Sequence, residues 1–241
     1  VRLAGLVAAS LVAACPALAQ DFPGFARQAA GGGHAVMEVA QPHPVRLPGV
    51  VTTRFELRPG ECGAPCPPDT ERAELAEQGP GLAPGTEAFT ALSLFIPRGT
   101  TATPGLVVTL ARLVQGEQVL LALEWRETGL LASGPAVGGE TMLVPASALT
   151  QRWHDVLIDQ RWSAGVDGRL VLWVNGQRLV QRSGANAVAG VAVRLVHGLS
   201  RAPVSAWTAR FGVRTPTQVV YFAHVRRDAD RGAVDIDLRV R

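Results

Sequence analysis

Arg54-Phe-Glu-Leu-Arg-Pro-Gly-Glu-Cys62-Gly-Ala-Pro-Cys66-Pro-Pro-Asp-Thr-Glu-Arg72-Ala-Glu-Leu75 sets two alternating runs on either side of a turn that two cysteines could staple. Successive side chains of a strand point to opposite faces. Arg54 and Glu56 therefore share one face of the first run, and Phe55 and Leu57 the other. In the second run Arg72 and Glu74 face one way, Ala73 and Leu75 the other. Pro59-Gly60 marks the turn that ends the first run. A sheet surface that repeatedly presents arginine suits a ligand carrying carboxylates or sulfates.

Outward from this stretch the chain reads as short strands separated by turn residues. Strands are expected at 50–57, 71–76, 87–96, 105–114, 118–126, 153–162, 169–174, 177–182, 190–197, 204–213 and 217–226, with a helical turn near Pro145–Thr150. Asn175-Gly176 joins two of them as a type I′ hairpin. The 241 residues suit one all-β domain, and no internal repeat or linker divides them. Many strands with few helices predict a two-sheet sandwich of the concanavalin-like jelly-roll type. In the run Trp153–Trp162, His154, Val156, Ile158, Gln160 and Trp162 share one face. Aromatics so placed either fill the core between sheets or stack on sugar rings.

The formal charge of +3 is too small to argue for nucleic acid. The chain has no lysine, so all 23 basic residues are arginines, which fits an oxyanion-binding surface or simply a GC-rich genome. Residues 1–19 read as a signal peptide: Arg2, the apolar run Leu3–Ala14, then Ala17-Leu18-Ala19. The apolar run is too short for a membrane span. Val12-Ala13-Ala14-Cys15 also fits a lipoprotein box that would anchor Cys15 to lipid. Cleavage after Ala19 removes Cys15 and leaves an even pair, Cys62 and Cys66, expected as a short-loop disulfide in a secreted or periplasmic bacterial protein. A metal site at this pair lacks further ligands, and no cofactor is expected. Residues 20–48, with Gly31-Gly32-Gly33, read as a leader feeding an edge strand rather than a phosphate loop, and 49–241 as the jelly roll.

Three blocks resemble the polysaccharide lyases of the heparin-lyase-like and alginate-lyase-like jelly-roll group. They are Arg54–Cys62 leading to Arg72-Ala-Glu-Leu75, Ala91-Leu-Ser-Leu-Phe-Ile-Pro97, and Trp153–Ser163 running through Asp167-Gly168 to Val171-Leu-Trp-Val-Asn-Gly176. The resemblance implies β-elimination on a uronate-containing acidic polysaccharide. That chemistry neutralises the uronate carboxylate, removes the C5 proton and protonates the departing O4. Arg72 matches the family's carboxylate partner, with Arg54 as a neighbour and Arg112 as a further substrate-binding candidate.

Two family positions are replaced. The family's Gln-x-His aligns with Leu110-Ala111-Arg112, and its Gly-x-Tyr with Gly198-Leu199-Ser200-Arg201. Arginine cannot act as the base because guanidinium stays protonated. Tyr221, the one tyrosine, is a catalytic candidate whose plainer reading is strand packing. His34, His43, His154, His197 and His224 read as structural or leader residues. Asp228, Asp230, Asp235 and Asp237 fall short of a calcium-loop spacing. The function classes left open are a lyase, a non-catalytic relative that binds acidic glycan, and an envelope structural protein.

Overall fold

The computed structural model describes residues 22–45 and 49–236; the expected signal peptide, Cys15 and Asp237 lie outside the described residues. The described chain runs β1 (Phe25–Ala29), β2 (Val36–Val39), β3 (Thr52–Leu57), β4 (Glu71–Glu77), β5 (Glu87–Phe95), β6 (Val108–Gln115), β7 (Gln118–Arg126), β8 (Gly129–Gly134), β9 (Gly139–Pro145) and α1 (Ala146–Leu149). It continues with β10 (Trp153–Arg161), β11 (Arg169–Val174), β12 (Gln177–Ser183), β13 (Val193–Arg201), α2 (Val204–Phe211), β14 (Gln218–Asp228) and α3 (Arg231–Val234). Two seven-stranded antiparallel sheets result. The first has the order β1-β4-β13-β6-β7-β8-β9 and the second β12-β11-β10-β5-β14-β3-β2. This is the expected all-β jelly-roll sandwich.

Alternation decides which residues fill the space between the sheets. Phe55 and Leu57 of β3, Ala73 and Leu75 of β4, and Leu121, Leu123 and Trp125 of β7 are all buried in one core cluster. Trp162 is fully buried there, and its indole N–H donates to Gln160, whose amide donates to Thr90. Trp153 instead packs with Phe95 on the outer side of the second sheet, its indole N–H donating 2.8 Å to the Pro44 carbonyl. Gly198 sits at φ +136° in a bulge of β13. A Cβ there would lie 2.3 Å from the Ala73 carbonyl oxygen and 2.8 Å from the Phe55 ring.

The leader contributes two strands, β1 and β2, one at the edge of each sheet. Within residues 204–213, expected as a strand, Val204–Phe211 form helix α2 instead. Trp207 and Phe211, four residues apart, lie on one helical face and stack at 4.9 Å. Gly212 then ends the helix in the left-handed region, its N–H bonded to the Thr208 carbonyl at 2.8 Å.

The expected hairpin turn is present, with Asn175 at φ +51° and Gly176 at φ +77°. The Asn175 side chain also accepts from the Asp155 N–H at 2.9 Å and meets His154 Nδ1 at 3.3 Å. Asn175→Ala should therefore cost about 2 kcal/mol, combining left-handed strain with a lost acceptor, and Asn175→Gly about 1 kcal/mol. Urea-denaturation midpoints of the two variants check this ordering.

Candidate functional site

The outer face of the first sheet collects the arginines of β4 and β6. Strand register lays its side chains in two rows. One runs Ala76, Val196, Arg112, Ala122, Ser133, Glu140 from β4 to β9. The other runs Arg72, Ser200, Thr109, Glu124, Leu131, Met142. Gln28 of β1 stands opposite Glu74 at the near edge. The face thus offers guanidinium, carboxylate, amide and hydroxyl groups on a rigid sheet.

Its carboxylates are already paired, and its arginines are already bonded within the protein. Arg112 holds both oxygens of Glu74 in a fork, at 2.5 and 2.9 Å. Burial pushes the Glu74 carboxyl up from its ordinary value, and Arg112 and then Arg72 pull against that rise. Arg126 bridges Glu124 and Glu140, and Ser133 donates 2.6 Å to Glu124. Arg72 is buried beneath the 62–66 loop. It donates to the carbonyls of Gly63 (3.0 Å) and Pro65 and to the Gln28 side chain (3.2 Å). Cys62 and Cys66 are disulfide-bonded, with Cα atoms 5.6 Å apart. Leu110, aligned with the family's Gln, points into the core.

The remaining candidates lie elsewhere. Arg54 alternates with the core residue Phe55 on β3 of the second sheet, so it points from the opposite outer face. There it pairs with Glu56, which Arg58 also holds at 2.6 Å. The two arginines keep the Glu56 carboxyl below its ordinary value in spite of partial burial, which acts to raise it. The structure therefore brings Arg72 and Arg112 to one face and leaves Arg54 on the other. Tyr221 also stands on the second sheet, its ring edge-on to Phe95 at 6.0 Å.

Among the described residues no histidine reaches the first sheet's outer face. His197 is inward, between the rings of Phe25, Phe55 and Phe222 at 4.9–5.5 Å, and burial drives its pKa down to about 3. His154 bonds to the Leu149 carbonyl (3.0 Å), His34 to Glu61 (2.8 Å), and His224 donates to the Val234 carbonyl (2.6 Å). His43 lies in the loop after β2. The described residues contain no group of three metal-ligating side chains, and no described helix is long and apolar enough to cross a membrane. Asp230 instead caps α3, accepting from the Gly232 N–H at 2.9 Å.

Sequence reading missed Gln28, placed in a leader, and the Glu124–Arg126–Glu140 group. The alternation of Glu124 and Arg126 about Trp125 carried the signal for the latter.

The two sheets form a jelly-roll sandwich whose fold is similar to those of solved polysaccharide-active enzymes. It is similar to the endo-β-1,4-glucuronan lyase from the fungus Trichoderma reesei, with a TM-score of 0.66 and 14% identity over 89% of this chain and 95% of that one. It is also similar to an alginate lyase of polysaccharide lyase family 7 (TM-score 0.54, 12% identity, 84% and 92% covered). A third solved structure, a family 131 β-glucanase catalytic domain from Podospora anserina, matches at TM-score 0.55 and 13% identity, with 77% and 75% covered. No protein-family profile and no curated sequence matches the chain.

Proposed function

We propose that the protein holds an acidic polysaccharide along the outer face of the first sheet and does not cleave it by β-elimination. One observation carries this reading. The face that sets Arg72 and Arg112 side by side on neighbouring parts of the sheet carries no imidazole or phenol among the described residues. Elimination needs a base for the C5 proton and an acid for O4. Of the carboxylates on this face, Glu74 is locked by Arg112, and Glu124 is shared between Arg126 and Ser133. The paired guanidiniums can still exchange partners with a uronate carboxylate. Gln28, Ser200, Thr109 and Ser133 can bond to sugar hydroxyls. The named substrates of two fold relatives, glucuronan and alginate, are both polyuronates and support that ligand class. The disulfide supports an exported protein in an oxidising compartment.

The test pairs turnover with binding. No rise in absorbance near 235 nm, the mark of an unsaturated uronate, is expected on glucuronan, alginate, heparin or pectate. Retention on immobilised glucuronan is expected, weakening with salt and falling about tenfold in Arg112→Gln. An unsaturated product, or no retention on any of the four, would overturn the reading.

A further inference from the structure

We propose that the Cys62–Cys66 ring is a redox-operated plug over a carboxylate site at Arg72. The ligand class rests on the polysaccharide reading above; the gating does not. Arg72 donates to the Gly63 and Pro65 carbonyls, both inside the ring, so loop oxygens occupy the positions a carboxylate would take. Its Nε–H is buried without an acceptor, a donor that the closed loop leaves unmet. The ring is seated closely: a Cβ on Gly63 would fall 2.2 Å from the Ala29 nitrogen.

Both shoulders of the loop are tied down independently of the ring. On one side Glu61 accepts from the Arg72 N–H at 3.0 Å and pairs with His34. On the other, Asp69 takes the N–H and hydroxyl of Ser205, both at 2.6 Å. Between them Ala64, Pro65, Cys66, Pro67 and Pro68 are exposed. Opening the ring therefore frees the middle of the loop while its ends stay in place.

The opening step is thiol–disulfide exchange with a dithiol. Its thiolate attacks Sγ of Cys66, an exposed residue, the Cys62–Cys66 bond breaks, and Cys62 leaves as a thiolate that takes up a proton. The second thiol resolves the mixed disulfide and releases Cys66, so two electrons pass to the protein and the dithiol becomes a disulfide. The loop loses its covalent constraint, the carbonyls of Gly63 and Pro65 leave the guanidinium, and Arg72 can take a carboxylate in a fork.

The test uses full-length protein labelled with nitrogen-15 arginine, with the Arg72 Nε–H resonance assigned by its loss in Arg72→Gln. Sodium glucuronate is titrated into the oxidised protein, the protein reduced with dithiothreitol, and a Cys62→Ser/Cys66→Ser variant. The reduced and double-serine forms should bind at least about tenfold more tightly than the oxidised form, with the shift centred on Arg72. Equal affinities, or no Arg72 response in any form, would overturn the plug. Glucuronan retention without redox dependence overturns the plug and leaves the polysaccharide reading standing. A redox-dependent glucuronate response without retention on any of the four polysaccharides supports the plug and sinks that reading.

Discussion

Arg201→Met should lower the free energy of unfolding by about 3–5 kcal/mol, the usual consequence of removing one partner from a buried ion pair. The Arg201 side chain is wholly buried. Its Nε donates to Glu71 at 2.6 Å, Nη1 to the Pro216 carbonyl and Gln218 at 2.7 and 2.8 Å, and Nη2 to Thr215 at 2.9 Å. Glu71 also accepts the Gly60 N–H at 2.6 Å, and Gln218 donates to the Thr101 carbonyl and Thr103 hydroxyl. One guanidinium thus joins the turn after β3, the loop before β6 and the segment before β14. Without it, a carboxylate and an amide oxygen stay buried with too few donors. Adding Glu71→Gln to Arg201→Met should recover part of the loss, because the neutral amide no longer needs a counter-ion. Urea denaturation followed by circular dichroism gives both values. A single-variant loss below about 1 kcal/mol would mean that water reaches the network.

The opening stretch shows what local pattern can and cannot carry. Phe55, Leu57, Ala73 and Leu75 are core residues, as their alternation requires, because a strand at the sandwich core must bury one face. The same alternation placed Arg54 and Arg72 on charged faces. It could not say that these faces lie on opposite sides of the molecule. The 58–70 connection carries the chain from one sheet to the other, and sheet membership is fixed by long-range pairing to β14 and β13. The strands at Phe25–Ala29 and Gly129–Gly134 were equally hard to read. Their small and glycine residues have little strand preference, and the ladders with β4 and β7 hold them extended. Helix α2 failed in the other sense: Val204 and Phe211 read as strand formers, while the four-residue Trp207–Phe211 spacing and Gly212 were the helix signals.

At the candidate site the arginines were legible and their partners were not. Arg112 meets Glu74 across 38 residues, and Arg72 meets Gln28 across 44. No local period encodes such pairs. Whether an arginine on a sheet face is free for a ligand or already satisfied depends on them. The reading of Arg72 as a carboxylate holder therefore hinges on whether the loop above it moves.

Lowering the pH from 7.5 to 4.5 should cost the fold about 3 kcal/mol through His197 alone. The folded protein keeps this imidazole neutral down to about pH 3, against an ordinary value of 6.5, because burial penalises the charged form. Three phenylalanine rings surround it, and its Nδ1 has no hydrogen-bond partner. Below pH 6.5 the unfolded chain takes up a proton that the folded state refuses, so acid favours unfolding. The stability is fully present above pH 6.5 and is lost progressively as the pH falls toward about 3. His154, also shifted down by burial, acts in the same direction; Glu74, shifted up by burial, opposes it as the pH falls. His197→Leu separates these contributions, since it removes the imidazole and keeps an apolar side chain in the core. Urea midpoints measured from pH 7.5 to 4.5 should fall steeply in the parent protein. In the variant the fall should be smaller by an amount equivalent to about 3 kcal/mol. Parallel curves would show that His197 is charged in the fold, and its proton NMR titration would then appear near pH 6.5 instead of below 4.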